Sequence, residues 1–531
     1  MARGDGWLAL VSSVLVMAFV LGGPVQKAGA QVVAIGGSIQ QPLIRDSQGN
    51  YLAYITITNN GDVSIPITEI SVANATLGLG SVINLPPPIT DLAQGTSALI
   101  TLQFPPSSIP LTRGTAALRI SGTYFTVDPP LSGVWSLAFR ASGSGKTYYV
   151  DALQGSDAND CASLITPCAT IAGADAKLLA NTEQTVSVAP GTYQLGDFTT
   201  GTSGEGLGQP VRFICQTYQG CILAGNGDGA GWKVDGQYVQ ILGFDFEGEI
   251  KHGAAVLIAN NYVDILGNIF DDYQNGNYCG PGTGYGVISD FPQSPFGPHI
   301  GGRIEGNTIV NAGSQYGHTC NIQHGMYLQF DGASASSPRV VQNNLIVHAA
   351  AAGIESHGTG CYTMFFNNTV DDARYGIQVS RGAQFNGCAI TDFESMSNNA
   401  VVNSANGLNI YSSNCVDEFG TNWVVTNNFF ATDPTDFLVN CGEMGATWSV
   451  PDKNPIDGTI AAAFNNEPVG GYTPVPGGPL AGAGTTVPFQ LCPQSVICAA
   501  PLLDLNGQPR GFVNDIGAYE VGSSPTMWPW Y

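Results

Sequence analysis

Short runs in which apolar and polar residues alternate, separated by Gly, Pro and Asn, recur along most of this chain. Between residues 31 and 142 they include Tyr51-Leu-Ala-Tyr-Ile-Thr-Ile-Thr58, Ala98-Leu-Ile-Thr-Leu-Gln-Phe104 and Ala116-Ala-Leu-Arg-Ile-Ser121, with turns at residues 59–61, 86–88 and 105–106. Period-two alternation at this spacing predicts a β-sandwich. Ala141 to Gly145 (ASGSG) reads as a flexible linker. Beyond it the runs become repetitive. Val239 to Phe246 (VQILGFDF) recurs as Val263 to Phe270 (VDILGNIF), a shift of 24 residues. Such a period marks a solenoid, because one coil cannot bury its apolar face alone. The predicted class is all-β, an N-terminal β-sandwich followed by a parallel β-helix solenoid.

Later coils carry an Asn-centred turn ending at Asn307, Asn344, Asn368, Asn399 and Asn428. Asn tolerates left-handed backbone geometry at a tight bend. Stacked at the strand spacing of about 4.8 Å, carboxamides also bond to one another. These residues are therefore expected to form a structural ladder rather than a catalytic set.

A second recurring element is a Gly before an apolar residue, at Gly286, Gly325, Gly353, Gly376 and Gly407. Aligning on it and applying strand alternation gives two rows facing away from the core. One holds Ile288, Tyr327, Glu355, Gln378 and Asn409; the other holds Asp290, Gln329, His357, Ser380 and Tyr411. Four of the six histidines fall between His318 and His357, beside these rows. An aromatic face with polar neighbours suits a sugar, and Glu355 and His357, two apart on one strand, suit proton transfer. The expected catalytic residues are Glu355, His357 and His324. Tyr327 would stack on the substrate, and Gln329, Gln378 and Arg381 would orient it. Asp371 and Asp372 are further carboxylates that could pair with Glu355. His318, Cys320 and His324 lack a usual zinc spacing, and Cys320 is expected in a disulfide with Cys279 as a candidate partner, so no metal ligand set is assigned. The oxygen-rich "GSDANDC" loop (155–161) suits structural calcium or an ordinary turn, and no other cofactor is expected.

Several stretches resemble known families. "ITITNNGDVSIPITEISV" with "LAQGTSALITLQFPP" looks like the immunoglobulin-like modules of exported bacterial proteins. "KTYYVDALQGSDANDCASLITPCATIAGA" with "VSVAPGTYQL" is similar to the opening of bacterial right-handed β-helix proteins related to pectate lyases, in which the stretch after Thr170 would form a capping helix. "DLNGQPRGFVNDIGAYEVG" (504–522) resembles the closing segment of exported β-helix proteins, making Arg510, Asp515 and Glu520 cap-forming ion pairs. The resemblance implies a right-handed solenoid acting on polysaccharide by elimination or hydrolysis. The sequence departs from those enzymes, however. Asp371-Asp372 lacks the flanking polygalacturonase motifs, and Arg374 and Arg381 lack the pectate lyase surroundings. Fold alone does not confer activity, so a non-catalytic surface or adhesive protein is the alternative.

Composition narrows the partners. A formal net charge of −23 repels phosphate backbones and excludes nucleic acid as a partner class. Residues 1–30 read as a signal peptide ending in Ala28-Gly29-Ala30, which predicts a secreted protein without a membrane span after cleavage; a monomer is expected. The even count of 12 cysteines then suggests disulfides, with the close pairs Cys161/Cys168, Cys215/Cys221 and Cys492/Cys498 stapling local loops. The expected organisation is signal peptide 1–30, sandwich 31–142, β-helix with N-terminal cap 143–465, and closing segment 466–531. The expected partner is an extracellular polysaccharide or cell-surface glycan.

Overall fold

From residue 146 onward the alternating runs pair in parallel, each with the run one coil later, in the computed structural model of the chain. The described residues are strands between 35 and 127, nearly all of 146–271, and the strands and turns of 285–485, with 504–506, 510 and 515–522. The predicted signal segment, Cys279, His318 and the Cys492/Cys498 pair lie outside them. The chain divides into two units, one mostly before Phe139 and one after it. In the first, the described registers are antiparallel, among them Ile35–Ile39 with Tyr51–Asn59, that strand with Ser97–Phe104, and Glu69–Ala73 with Ala117–Gly122. The packing of one sheet on another there falls outside the described residues.

A typical coil of the second unit contributes three strands, and in two coils the second and third run together as Leu345–His357 and Thr369–Arg381. Val239–Leu242, Asp245–Gly248 and Val256–Ile258 are followed by Val263–Leu266, Ile269–Asp271 and Tyr285–Asp290, each pairing with its counterpart. The first strands of the coils stack into a ten-stranded parallel sheet, and the second and third form a curled sheet of seventeen. Alternation sends every other side chain inward. Val186, Phe213, Ile241, Ile265, Ile304, Val341, Phe365, Met396 and Val425 share one such interior file, all essentially inaccessible to water. Burying a side chain of this size contributes about 1.5–3 kcal/mol, so the file is a principal source of stability. Phe246 and Phe270 stack with ring centroids 4.6 Å apart in a neighbouring file.

The open first coil is covered by a short helix, Ile171–Asp175, which buries Ile171 and Ala174. Thr170 caps it by accepting from the Gly173 N–H, and Asp157 accepts from the Ala169 and Thr170 amides. Asp151 and Asp160 likewise accept backbone N–H bonds from Leu153 and Ala162, respectively. Cys161–Cys168 and Cys215–Cys221 are disulfides that staple local loops, as their spacing predicted.

The Asn ladder forms, with a division of labour between neighbouring positions. The second Asn of each turn is buried and stacks. Asn268 Nδ2 donates to Asn307 Oδ1, and the pattern continues through Asn344, Asn368 and Asn399 to Asn428 at 2.9–3.1 Å. The residue before it carries the left-handed backbone: Gly267, Gly306, Asn343, Asn367, Asn398 and Asn427 all have positive φ. Left-handed geometry and ladder bonding thus belong to different residues.

The described residues of the closing segment do not sit as an end cap. They run along the side of the later coils. Arg510 donates to Asn343 Oδ1 and pairs with Glu520 at 2.8 Å, Asn367 Nδ2 donates to Asp515 O, and Asn398 Nδ2 donates to Thr485 O. Beneath it Leu345, Val347, Ala400, Val402, Phe429 and Ala431 pack with Tyr472, Leu480, Leu505, Ile516 and Ala518. Those strand residues point away from the interior file, and their apolar side chains require a cover. The segment supplies one.

Candidate functional site

The third strands of four coils bring most of the candidate residues together. Tyr327 in Gln323–Leu328 pairs with Glu355 in Leu345–His357, which pairs with Gln378 in Thr369–Arg381, which pairs with Asn409 in Asn406–Ser412. His357 pairs in register with Ser380, and Ser380 with Tyr411. The predicted rows hold for these coils and slip by one residue at the first. Gly286 pairs with His324, one residue ahead of Gly325, so Ser289 rather than Ile288 faces Tyr327. The same slip turns Asp290 inward. There it is fully buried, ion-paired with Arg339 at 3.0 Å and bonded to Nδ1 of His299. This buried cluster was not apparent in the sequence, because Arg339 lies 49 residues from Asp290 and meets it only through the coil stacking.

Glu355 sits at the centre of the site, 3% exposed. Its Oε1 lies 3.0 Å from His357 Nδ1, and its Oε2 lies 3.1 Å from His324 Nδ1. Gln378 donates a third hydrogen bond to it. Burial pushes the Glu355 carboxyl up, but the charges of the two imidazoles and the bonds from His357 and Gln378 outweigh it and hold the pKa below the ordinary carboxylate value. His324 Nδ1 is also 3.2 Å from the Ala352 amide. That nitrogen serves one partner at a time: protonated it donates to Glu355, and bare it accepts from Ala352.

The Tyr327 ring lies against both imidazoles, 5.3 Å from His357 and 5.2 Å from His324 by centroid, so both histidines already engage it. Gln378 is occupied at both ends, since Asn409 Nδ2 donates to its Oε1 at 2.7 Å. Gln329 follows the Gln323–Leu328 strand and is buried, its N–H donating to Asp290 O. Arg381 ends the Thr369–Arg381 strand, and its side chain lies outside the described residues. The His357 side chain is 34% exposed while that of Glu355 is 5% exposed, so the imidazole is the part of the pair that meets solvent.

Asp371 and Asp372 belong elsewhere. Asp371 pairs in register with Val347 and accepts from the Tyr472 hydroxyl and Asn403 Nδ2. Asp372 pairs with His348. Asp371 precedes a bend at Asp372, whose φ is positive, and pairs onward with Val402, whereas Gln378, the register partner of Glu355, lies beyond the bend and pairs with Asn409. Cys320 is disulfide-bonded, which removes the thiolate a zinc site would need. Among the described residues, no group of three or more His, Cys, Asp or Glu is arranged to hold a metal ion, and no helix is long and apolar enough to cross a membrane.

No family model and no curated protein matches the chain. Among solved structures it is similar to a PL6 family polysaccharide lyase from Pseudopedobacter saltans, at 14% identity over 54% of this chain and 90% of that one, with a TM-score of 0.22. A mannuronic acid specific polysaccharide family 6 lyase from human gut microbiota aligns at 12% identity over 55% and 90%, with a TM-score of 0.25. The catalytic domain of a GH87 α-1,3-glucanase aligns at 9% identity over 80% and 96%, with a TM-score of 0.24. At these scores the fold rests on the chain's own strand pairing, and the site on its own geometry.

Proposed function

We propose that this chain is an exported β-helix protein that cleaves an extracellular uronate-containing polysaccharide by β-elimination. The observation that carries this reading is the exposed His357 imidazole held through Nδ1 by a buried, ionised Glu355. A carboxylate accepting from Nδ1 fixes the proton there and makes Nε2 the nitrogen that carries the lone pair, as a general base requires. Glu355 is then an orienting group rather than the proton carrier itself. In the reaction, Nε2 removes the proton at C5 of the uronate, the electron pair forms the C4–C5 double bond, and the C4–O bond breaks. The departing oxygen takes a proton from the Tyr327 hydroxyl, which returns to its acid form by exchange with water.

Two-carboxylate hydrolysis fits less well. It needs an acid of raised pKa and a second carboxyl group within about 5–9.5 Å. Glu355 is shifted the other way, and its row continues with Tyr327, Gln378 and Asn409.

A panel of uronate and neutral polysaccharides tests this, assayed for unsaturated products and for reducing ends. Unsaturated products are expected from a uronate polymer, and Glu355→Gln and His357→Ala should each lower the rate about 10²–10⁴-fold. New reducing ends without unsaturation would reassign the chemistry to hydrolysis. Silence across the panel would favour the adhesive alternative, and full activity in both variants would overturn the named site.

A further inference from the structure

Hydrogen-bond direction along the row Glu355, Gln378, Asn409 is set by its one charged member. An ionised carboxylate only accepts, so the Gln378 bond to Glu355 must come from the Nε2 amide. The carbonyl of Gln378 therefore faces the next coil, where it accepts from Asn409 Nδ2. Asn409 Oδ1 is left pointing away from the row, buried and without a hydrogen-bond partner. Leaving a buried acceptor unpaired is unfavourable. Turning Asn409 round would be worse, since it would set one carbonyl against another and release Gln378 to present either end to Glu355.

We propose that Asn409, two coils from Glu355, is a positioning residue of the site: through Gln378 it keeps a donor facing the carboxylate and so keeps the His357 proton on Nδ1. The sequence placed Asn409 on the row and assigned it no role. The proposal rests on the reading of His357 as the base, yet its test needs no substrate.

The full chain is labelled with ¹⁵N at histidine, and the His357 ring nitrogens are followed by nuclear magnetic resonance, which separates the two tautomers. The wild type is expected to hold the Nδ1–H form. Asn409→Asp puts only acceptors beside Gln378, so the carboxamide turns and its carbonyl meets Glu355. The ratio of Nδ1–H to Nε2–H forms should then fall at least tenfold. Asn409→Leu removes the constraint without reversing it and should give a smaller shift in the same direction. Ser356→Ala is the control, because that hydroxyl has no hydrogen-bond partner and neighbours Glu355 in the chain; it should leave the signals in place. If Asn409→Asp does not fold, Asn409→Leu decides alone. An unchanged tautomer ratio in the folded Asn409 variants overturns the proposal. A shifted ratio in a protein that cleaves nothing in the polysaccharide panel keeps the relay and discards the elimination chemistry.

Discussion

Two files of polar side chains run along this solenoid, and they are built by the same stacking. In the turn file, Asn268 through Asn428, the residue repeats coil after coil. Each carboxamide donates to the next and also to a backbone carbonyl, as Asn368 does to Val341 O, and the file lies wholly inside the protein. In the third-strand file the residues differ at every coil: Ser289, Tyr327, Glu355, Gln378, Asn409. Its one carboxylate draws donors from three neighbours, and an exposed imidazole completes it. Repetition lets every polar group be satisfied by its twin, which leaves nothing over for chemistry. The break in repetition creates unequal neighbours, and unequal neighbours give a charge held against burial beside a partly exposed imidazole.

The sharpest way to separate the two files is to damage each and ask what is lost. Asn368→Ala removes the bonds to Val341 O and Asn399 Oδ1 and leaves the Asn344 amide without its acceptor. Each buried group left unpaired costs about 1–3 kcal/mol, so a loss of roughly 3 kcal/mol or more is expected in chemical denaturation. Glu355→Gln, by contrast, is expected to act on rate. Should Asn368→Ala cost under about 1 kcal/mol, the turn file would not be the structural member of the pair.

Next in size is the segment that rides on the turn file. Arg510 is nearly inaccessible and reaches Asn343 Oδ1, Gly517 O and Asp515 O as well as Glu520. Hydrogen bonds to a charged group contribute about 1.5–3 kcal/mol, and truncation also leaves acceptors unpaired. Arg510→Ala should lower stability by about 2 kcal/mol and expose residues 504–522 to protease before the coils unfold. Cleavage of that segment at the wild-type rate would mean that the outer Asn contacts do not hold it.

The two files were unequally legible. The 24-residue repeat and the Asn stack follow from period and residue type, and both appear where they were expected. The segment's position was missed because resemblance placed it at the end of the solenoid. A signal was present nonetheless: Leu345-Ile-Val347, Ala400-Val-Val402 and Phe429-Phe-Ala431 are apolar at consecutive positions, which in a strand means that both faces are covered. The rows of the site were recovered by aligning on glycine, and failed at Gly286, where the register with the next coil is offset by one residue. A one-residue offset exchanges inside for outside, so Asp290 went from the outer row to a buried ion pair. The union of His324 with Glu355 depends on stacking between coils and on side-chain reach, neither of which a pattern along one chain contains.

The smallest expected effect concerns charge in the third-strand file. Because the folded Glu355 lies below its ordinary value of 4.5, it contributes stability that is fully present above about pH 4.5 and is lost as pH falls through the lower folded value. The direction follows from its partners: the unfolded chain takes up the proton first, so acid favours unfolding. The stability difference between wild type and Glu355→Gln, measured by denaturation from pH 7 downward, should therefore narrow below about pH 4.5. The corresponding difference for Asn368→Ala should stay flat over the same range, since no carboxamide in that file titrates. A Glu355→Gln difference that stayed constant through the acid range would show that the carboxylate is not held ionised by its neighbours. The contrast between a self-satisfied file and a charged one would then fail at its central residue.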